Sequence, residues 1–452
     1  MHHASRLPTD GGTVPPMSTL VVRGGNPLSG HIEVRGAKNL VPKAMVASLL
    51  SEAPSVLSNV PEIADTHIVT NLVQAYGAGV KLEGGRWHVT PGDLHHAEPS
   101  AVARWAGTSR IPILFAGPLL HRLGEAFLPA LGGCAIGSRP VDFHLEMLRQ
   151  FGATVEERED GVHLHADQLH GIKTRLPYPS VGATEQAILT AVLAKGRTEI
   201  SNAAVEPEIL ELLSILQRMG AQLRVRSDRV LEIVGVDRLD GFHHHAMPDR
   251  LEIASWAVAA LITGGEITTP AAHQPHLFAF LDVFRRMGGG FDVSTVGVMR
   301  FWRAAEHIRP VVLETDVHPG LMTDWQSPLT VALTQARGAS VVHETVYEDR
   351  LGHLGILTEK MGAHVQLMSA CLGTQECRFA QQNFSHSAII SGPTPLRGAE
   401  LLVPNLRAGF SYVLAALVAE GESKLAGADV IERGYEDFPA KLTTLGADFD
   451  LA

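Results

Sequence analysis

A helix-like apolar pattern that stops at a glycine and turns into a short alternating strand occurs six times along the chain. The copies are "NLVQAYGAGVKL", "MLRQFGATVEER", "LSILQRMGAQLRV", "DVFRRMGGGFDV", "ILTEKMGAHVQL" and "KLTTLGADFDLA". Their turn glycines are Gly77, Gly152, Gly220, Gly288, Gly362 and Gly446, spaced 68 to 84 residues apart. A glycine just past an amphipathic helix can take the left-handed conformation that closes the last turn, after which the chain leaves as a strand. Two or three such stops are ordinary in any α/β chain, whereas six at near-constant spacing form an internal repeat. A unit of about 70 residues buries too little surface to hold a core alone. The repeat therefore predicts an α/β fold of two domains, three units in each.

A length of 452 residues agrees with two cores rather than one. The net charge of −11 argues against nucleic acid or an anionic membrane as partner, so any site for an anion must be a local cluster of Arg and Lys. No apolar run approaches the roughly 18 residues of a membrane span. Residues 1–18 lack the apolar core of a signal peptide and read as a disordered leader. Three cysteines make no disulfide framework and point to a reducing, cytoplasmic setting.

Several strings could carry chemistry. In "VRGAKNLVPKAMVASLL", Lys38 stands where a strand runs into an apolar helix, beside backbone N–H groups that suit a phosphate or carboxylate, unless it is a snorkelling surface lysine. Arg110 heads the apolar segment of "GTSRIPILFAGPLL" and needs an anionic partner, either a substrate or a structural acid. "GGCAIGSRPVDFH" sets Cys134 among glycines, with Arg139 near enough to lower its pKa; the alternative is an inert buried thiol. Cys371 and Cys377 have the spacing C-x5-C with no paired second motif, so no metal site is read there. Ser180, Val181 and Gly182 open a helix whose N–H groups could hold a phosphate or a base edge, or be simply capped. Asp324 precedes a helix as an N-cap or a general base. Arg350, Arg407 and Arg433 gain meaning if the repeat brings equivalent edges together.

In order along the chain, "RGAKN", "RPVD", "PSVGATE", "NAAVEPEI", "MPDR", "TDWQ", "ETVYE", "LRAG" and "RGYE" resemble the enolpyruvyl transferase family from about Leu20 to the C-terminus. The likeness is greatest to members whose acceptor is UDP-N-acetylglucosamine. It implies two inverted (inside-out) α/β barrels of three units each, with residues 19–36 plus 247–452 forming one discontinuous domain, 37–246 the other, and a hinge near Gly36 and Ala246. It also implies a reaction: the enolpyruvyl group of phosphoenolpyruvate passes to a sugar hydroxyl of a uridine nucleotide and phosphate leaves, without metal or other cofactor and without an obligate protein partner. C3 of the enol is protonated, the hydroxyl adds at C2, and the tetrahedral intermediate eliminates phosphate. The resemblance assigns Lys38, Arg139 and Arg433 to the phosphate, and Arg350 and Arg407 to the carboxylate. Arg110 becomes a further cation of the site. Cys134 matches the loop cysteine that adds to phosphoenolpyruvate and is alkylated by fosfomycin, and Asp324 matches the acid that contacts the acceptor hydroxyl. Asn39, Arg139, Pro140, Val141, Asp142, Ser180, Val181, Gly182, Asp324 and Val346 match nucleotide-sugar contacts.

The chain departs from that pattern at Asn405, where similar members carry the aspartate of a "D-L-R" motif near the reaction centre. An amide can orient a hydroxyl but carries no proton at neutral pH. Tyr178 stands where some members have a lysine. Three readings follow for the acceptor: the 3-hydroxyl of UDP-N-acetylglucosamine in peptidoglycan precursor synthesis; the 3′-hydroxyl of UMP, as in nikkomycin or polyoxin antibiotic pathways; or an inactive relative that only binds nucleotide sugar.

Overall fold

The computed structural model of the chain describes residues 18–106, 109–129, 141–294, 297–375 and 377–452. Within it, each of the six turn glycines separates a helix from a strand. Helices Ala64–Ala75, Asp142–Gln150, Pro207–Arg218, Phe278–Arg286, Gly352–Met361 and Phe438–Thr444 end just before them, and strands such as Gly79–Glu83 and Gln222–Arg226 follow. All six glycines have φ between +80° and +104°, a region closed to most side chains.

Around this element each unit builds a small sheet. Among the described residues there are five four-stranded sheets and one three-stranded sheet. In the unit around Gly220, Arg197–Ser201 pairs parallel with Lys173–Arg175 (Glu199 opposite Lys173) and antiparallel with Val230–Val234 (Arg197 opposite Val234). Gln222–Arg226 completes the edge. Three sheets are closed by distant strands: His243–His245 joins Ser55–Ser58, Gly30–His31 joins Glu266–Pro270, and Thr19–Arg23 lies between Glu422–Ala426 and Asp448–Leu451. Ser18, read from sequence as leader, accepts hydrogen bonds from the backbone N–H groups of Gly427 and Asp429.

The buried apolar side chains form two clusters. One draws only on residues between Ala37 and Ala246; the other combines Leu20 to Val34 with Leu251 to Leu445. The helices within them explain their Ala-, Val- and Leu-rich, non-alternating sequences. Arg250–Thr263 is buried at every residue as far as Ile262, and Leu406–Val418 and Thr323–Leu333 are buried nearly as fully and pack against it. A helix with no polar face must be enclosed on all sides.

The chain passes between the clusters twice, and the two passages lie side by side. Ala37 N–H donates to the Met247 carbonyl at 2.8 Å and Asp249 N–H to that of Arg35 at 2.8 Å. A Cβ on Gly36 would come within 2.3 Å of the Asn59 carbonyl oxygen and 2.9 Å of Ala246 Cβ, so only glycine fits.

The turn glycines are open to test, because a Cβ on Gly220 (φ +104°) would touch nothing within 4 Å. Gly220→Ala should lower stability by about 1–3 kcal/mol through backbone strain alone. Gly79→Ala, where φ is not positive and the new Cβ would meet Thr90 only at 3.8 Å or beyond, should cost much less. Urea unfolding of the two variants makes the comparison.

Candidate active site

A cavity of about 390 Å³ is lined by residues of both clusters. On one side Lys38 is fixed through its backbone. Its N–H donates to Asp249 Oδ2 at 3.0 Å, and Asp249 also caps helix Arg250–Thr263 by accepting from Leu251 and Glu252. The Lys38 ammonium pairs with Asp65 and lies 3.5 Å from the Arg433 carbonyl oxygen. Ser109 Oγ donates to the other Asp65 oxygen at 2.9 Å. Burial pushes the Asp65 carboxyl up, but Lys38 and the Ser109 hydroxyl outweigh it and hold the group below its ordinary value.

Opposite, Asp324 lies in the first turn of helix Thr323–Leu333, not at its cap, which is Met322. One carboxylate oxygen accepts from Arg350 at 2.6 Å and the other from Arg407 at 2.6 Å. All three side chains are at most 15% exposed, so the pairs are screened far less than surface ones. Arg350 Nε is buried with no hydrogen-bond partner among the described residues. Beside it the buried Glu344 accepts from Thr323 Oγ1, Val346 N and Tyr347 N, which fixes the backbone at Val346. Asn405 is not among the cavity-lining residues. Its side-chain oxygen caps helix Leu406–Val418, accepting from Arg407 N at 3.2 Å and Ala408 N at 3.0 Å, and so sets where the Arg407 side chain starts.

Of the residues singled out in the sequence, Lys38, Asn39, Arg110, Ser180, Val181, Gly182, Asp324, Val346, Arg407 and Arg433 line this one cavity. Arg350 reaches it through Asp324. Ser180 is the N-cap of helix Val181–Ala191, its Oγ accepting from Ala183 N at 3.4 Å. Val141 and the exposed Asp142 begin helix Asp142–Gln150 outside the lining, while their neighbours Phe143 and His144 are in it. Cys134, Arg139 and Pro140 lie outside the described residues.

Tyr178 lines the cavity too, and beside it stands Arg378, which carries no motif of its own. Arg378 stacks its guanidinium over the Tyr178 ring at 4.0 Å and donates to the Val346 carbonyl oxygen. The Tyr178 hydroxyl is buried without a partner among the described residues, and burial raises its pKa. Burial also pushes Glu185 up to about 7, against the pull of Lys43, and takes His318 down to about 4, helped by Arg250. Among the described residues, the lining thus brings six Lys and Arg side chains together with six Asp and Glu side chains, a balanced site in a chain whose overall charge is negative.

A family model described as EPSP synthase (3-phosphoshikimate 1-carboxyvinyltransferase) matches residues 22–442. The chain belongs to the EPSP synthase family. As a family member it is an enolpyruvyl transferase, and the Lys and Arg side chains held in the cavity suit that chemistry, since developing negative charge is stabilised by donors already in position. Curated relatives of this EPSP synthase-family chain include the UDP-N-acetylglucosamine 1-carboxyvinyltransferases of Protochlamydia amoebophila, 46% identical over 96% of this chain and 94% of the relative, and of Chlamydia abortus, 45% identical over 96% and 98%. Among solved structures, the enolpyruvyl transferase NikO from Streptomyces tendae superposes with a TM-score of 0.84 at 23% identity, covering 97% of this chain and 99% of that one. An EPSP synthase from Acinetobacter baumannii gives 0.73 at 16%, covering 96% and 100%. At such identities the structures speak for the fold alone. It is the mixed α/β fold of these transferases, and no described helix is long and apolar enough to cross a membrane.

The Lys38–Asp65 pair gives a pH test. A depressed carboxyl pKa contributes stability above the unfolded-state value, about 3.9, and loses it as pH falls through the folded-state value. Asp65→Asn should therefore be less stable than the parent at pH 7, with the gap closing below about pH 4. Denaturant midpoints across that range are the measurement.

Proposed function

We propose that the chain transfers the enolpyruvyl group of phosphoenolpyruvate to the 3-hydroxyl of UDP-N-acetylglucosamine and releases phosphate, as a cytoplasmic enzyme of peptidoglycan precursor synthesis. The observation that carries this reading is near-full-length identity of 46% to a relative of that name. Lys38 and Arg433, with Arg139, take the phosphate; Arg350 and Arg407 take the carboxylate, and Arg110 adds to the same field. Asp324 receives the acceptor hydroxyl and Cys134 supplies the proton to C3. Asn39, the helix start at Ser180 to Gly182, and Val346 hold the nucleotide, with Pro140, Val141 and Asp142 alongside. Asn405 acts through the helix cap that positions Arg407, which is a positioning role rather than proton transfer.

The two apolar clusters are read as two inside-out barrel domains, 19–36 with 247–452 and 37–246, hinged near Gly36 and Ala246. Contacts between them support a closed arrangement: Lys38 with the Arg433 carbonyl, and Arg378 with Tyr178. Closure excludes water from a cationic intermediate that would otherwise hydrolyse.

Purified protein with phosphoenolpyruvate should release phosphate only when UDP-N-acetylglucosamine is added. Release with UMP instead would transfer the reading to the 3′-hydroxyl of UMP as acceptor, and release with neither would make the chain a binding protein. Asp324→Asn should lower kcat by about 10²–10⁴-fold, the range for loss of a proton-handling group. Asn405→Asp should change turnover by much less, since aspartate also caps helices.

A further inference from the structure

We propose that His343, Cys371, Cys377 and His386 bind a zinc ion, which staples a long hairpin insertion to the wall of the cavity. Three of the other units join their hairpin strands tightly, at Glu83 to Arg86, Arg158 to Gly161 and Arg226 to Val230. Here the hairpin strands His364–Met368 and Ser387–Gly392 are separated by residues 369–386, with no helix or strand among the described ones. A loop of that length inside a folded unit needs something other than secondary structure to order it.

The two cysteines and His386 lie in this insertion, and His343 ends the adjacent strand Gly338–His343, directly opposite Ser387. One ligand atom from each of the four falls within 4.8 Å of all the others. Cys371 Sγ is 3.4 Å from His386 Nε2. A tetrahedral ion with Zn–S of about 2.3 Å and Zn–N of about 2.0–2.1 Å would put such a pair about 3.6 Å apart.

Both imidazoles are already oriented as ligands. His343 Nδ1 lies 2.8 Å from Glu314 Oε1, and His386 Nδ1 lies 2.8 Å from the Phe384 carbonyl oxygen. Each acceptor selects the Nδ1–H tautomer and leaves a lone pair on Nε2, the arrangement that supports histidine ligands in metal sites. His343 Nε2 is fully buried with no hydrogen-bond partner among the described residues, so it aims a lone pair into the cluster unanswered. Glu314 also accepts from Gln375 N at 2.8 Å, which draws the cysteine-bearing loop over the histidine. At Gly373 a Cβ would stand 1.9 Å from Glu314 Oε1 and 2.4 Å from His343 Nδ1, so the loop approaches this close only as glycine. Phe379 N–H points at Cys377 Sγ at 3.4 Å, as a donor to a thiolate would.

Two thiolates and two neutral imidazoles select zinc by ligand softness and geometry, and four protein ligands leave no open position, so the site is structural. Binding releases the two thiol protons to solvent and gives a neutral centre. Its consequence lies one residue on, because Arg378 follows Cys377 and makes the Tyr178 and Val346 contacts at the cavity wall. The C-x5-C spacing alone gave no metal motif. The missing ligands come from a neighbouring strand and the far end of the insertion, which only the sheet topology brings together.

The test uses the full chain, expressed with added zinc and purified without chelator. Elemental analysis should find one zinc per chain, and cobalt exchanged for it should give tetrahedral d–d bands with thiolate-to-metal charge transfer. Cys371→Ser with Cys377→Ser should abolish both signals, and Glu314→Gln should weaken metal affinity about 10–100-fold while leaving the chain folded. Metal-free protein should show a several-fold higher KM for the acceptor with kcat little changed. The metal readouts stand whether or not the acceptor is the one proposed above. Zinc-free protein without cobalt bands, a Cys371–Cys377 disulfide in the purified chain, or cobalt bands that survive the double serine variant would overturn the site.

Discussion

Arg250 and Glu208 form a two-pronged ion pair, with both hydrogen bonds 2.9 Å and the side chains 1% and 3% exposed. Glu208 belongs to the segment between Ala37 and Ala246, and Arg250 stands just past the second passage between the clusters. Burial alone pushes the Glu208 carboxyl up, but Arg250 overcomes this and holds it low. The same guanidinium donates to the His276 carbonyl oxygen and lies over the Trp325 ring at 5.1 Å. Trp325 follows Asp324, and Asp249, before Arg250, holds the Lys38 backbone. One buried pair therefore sets both walls of the cavity against each other. Such a pair adds little net stability, yet losing one partner costs about 3–5 kcal/mol, so it enforces position rather than mere cohesion.

Among its described residues, the cavity sets six Lys and Arg side chains among six Asp and Glu side chains, a balance the chain as a whole lacks. Guanidinium and ammonium groups reach it from both clusters, and two of its carboxylates are held by them: Asp65 has Lys38, and Asp324 has Arg350 and Arg407. An anionic substrate entering such a site exchanges one set of charge-assisted bonds for another, without reorganising bulk water. Precision comes from backbone anchors (Asp249 on Lys38, Glu344 on Val346, Asn405 on Arg407) rather than from the long side chains.

Much of this was legible in the sequence because it is local. The turn glycines announce themselves by spacing, and their positive φ follows from the helix-to-strand turn each must make. Cations at the heads of apolar segments could be singled out for the same reason. What stayed hidden depends on contacts between distant segments. Asp65 stands in the first turn of its helix and gains its role only from Lys38, and Arg378 carried no pattern because its partners Tyr178 and Val346 lie 200 and 32 residues away. Asn405 misled in the opposite direction, since chemistry at an apparent motif position drew attention from the helix start it caps. His343 and His386 were invisible as a pair for the same topological reason.

The sheet that contains Thr19–Arg23 has a consequence for how the molecule comes into being. That strand is held between Glu422–Ala426 and Asp448–Leu451, with Leu20 opposite both Leu425 and Leu451. During synthesis the segment from Ala37 to Ala246 can complete its own core as soon as it is made. Strand Thr19–Arg23 must wait for Asp448–Leu451, which begins 425 residues beyond Arg23, so this long loop closes late. The unit assembled from these distant segments thus acts as a checkpoint, because a chain truncated shortly before Asp448 could fold most of its core while leaving this strand without one neighbour.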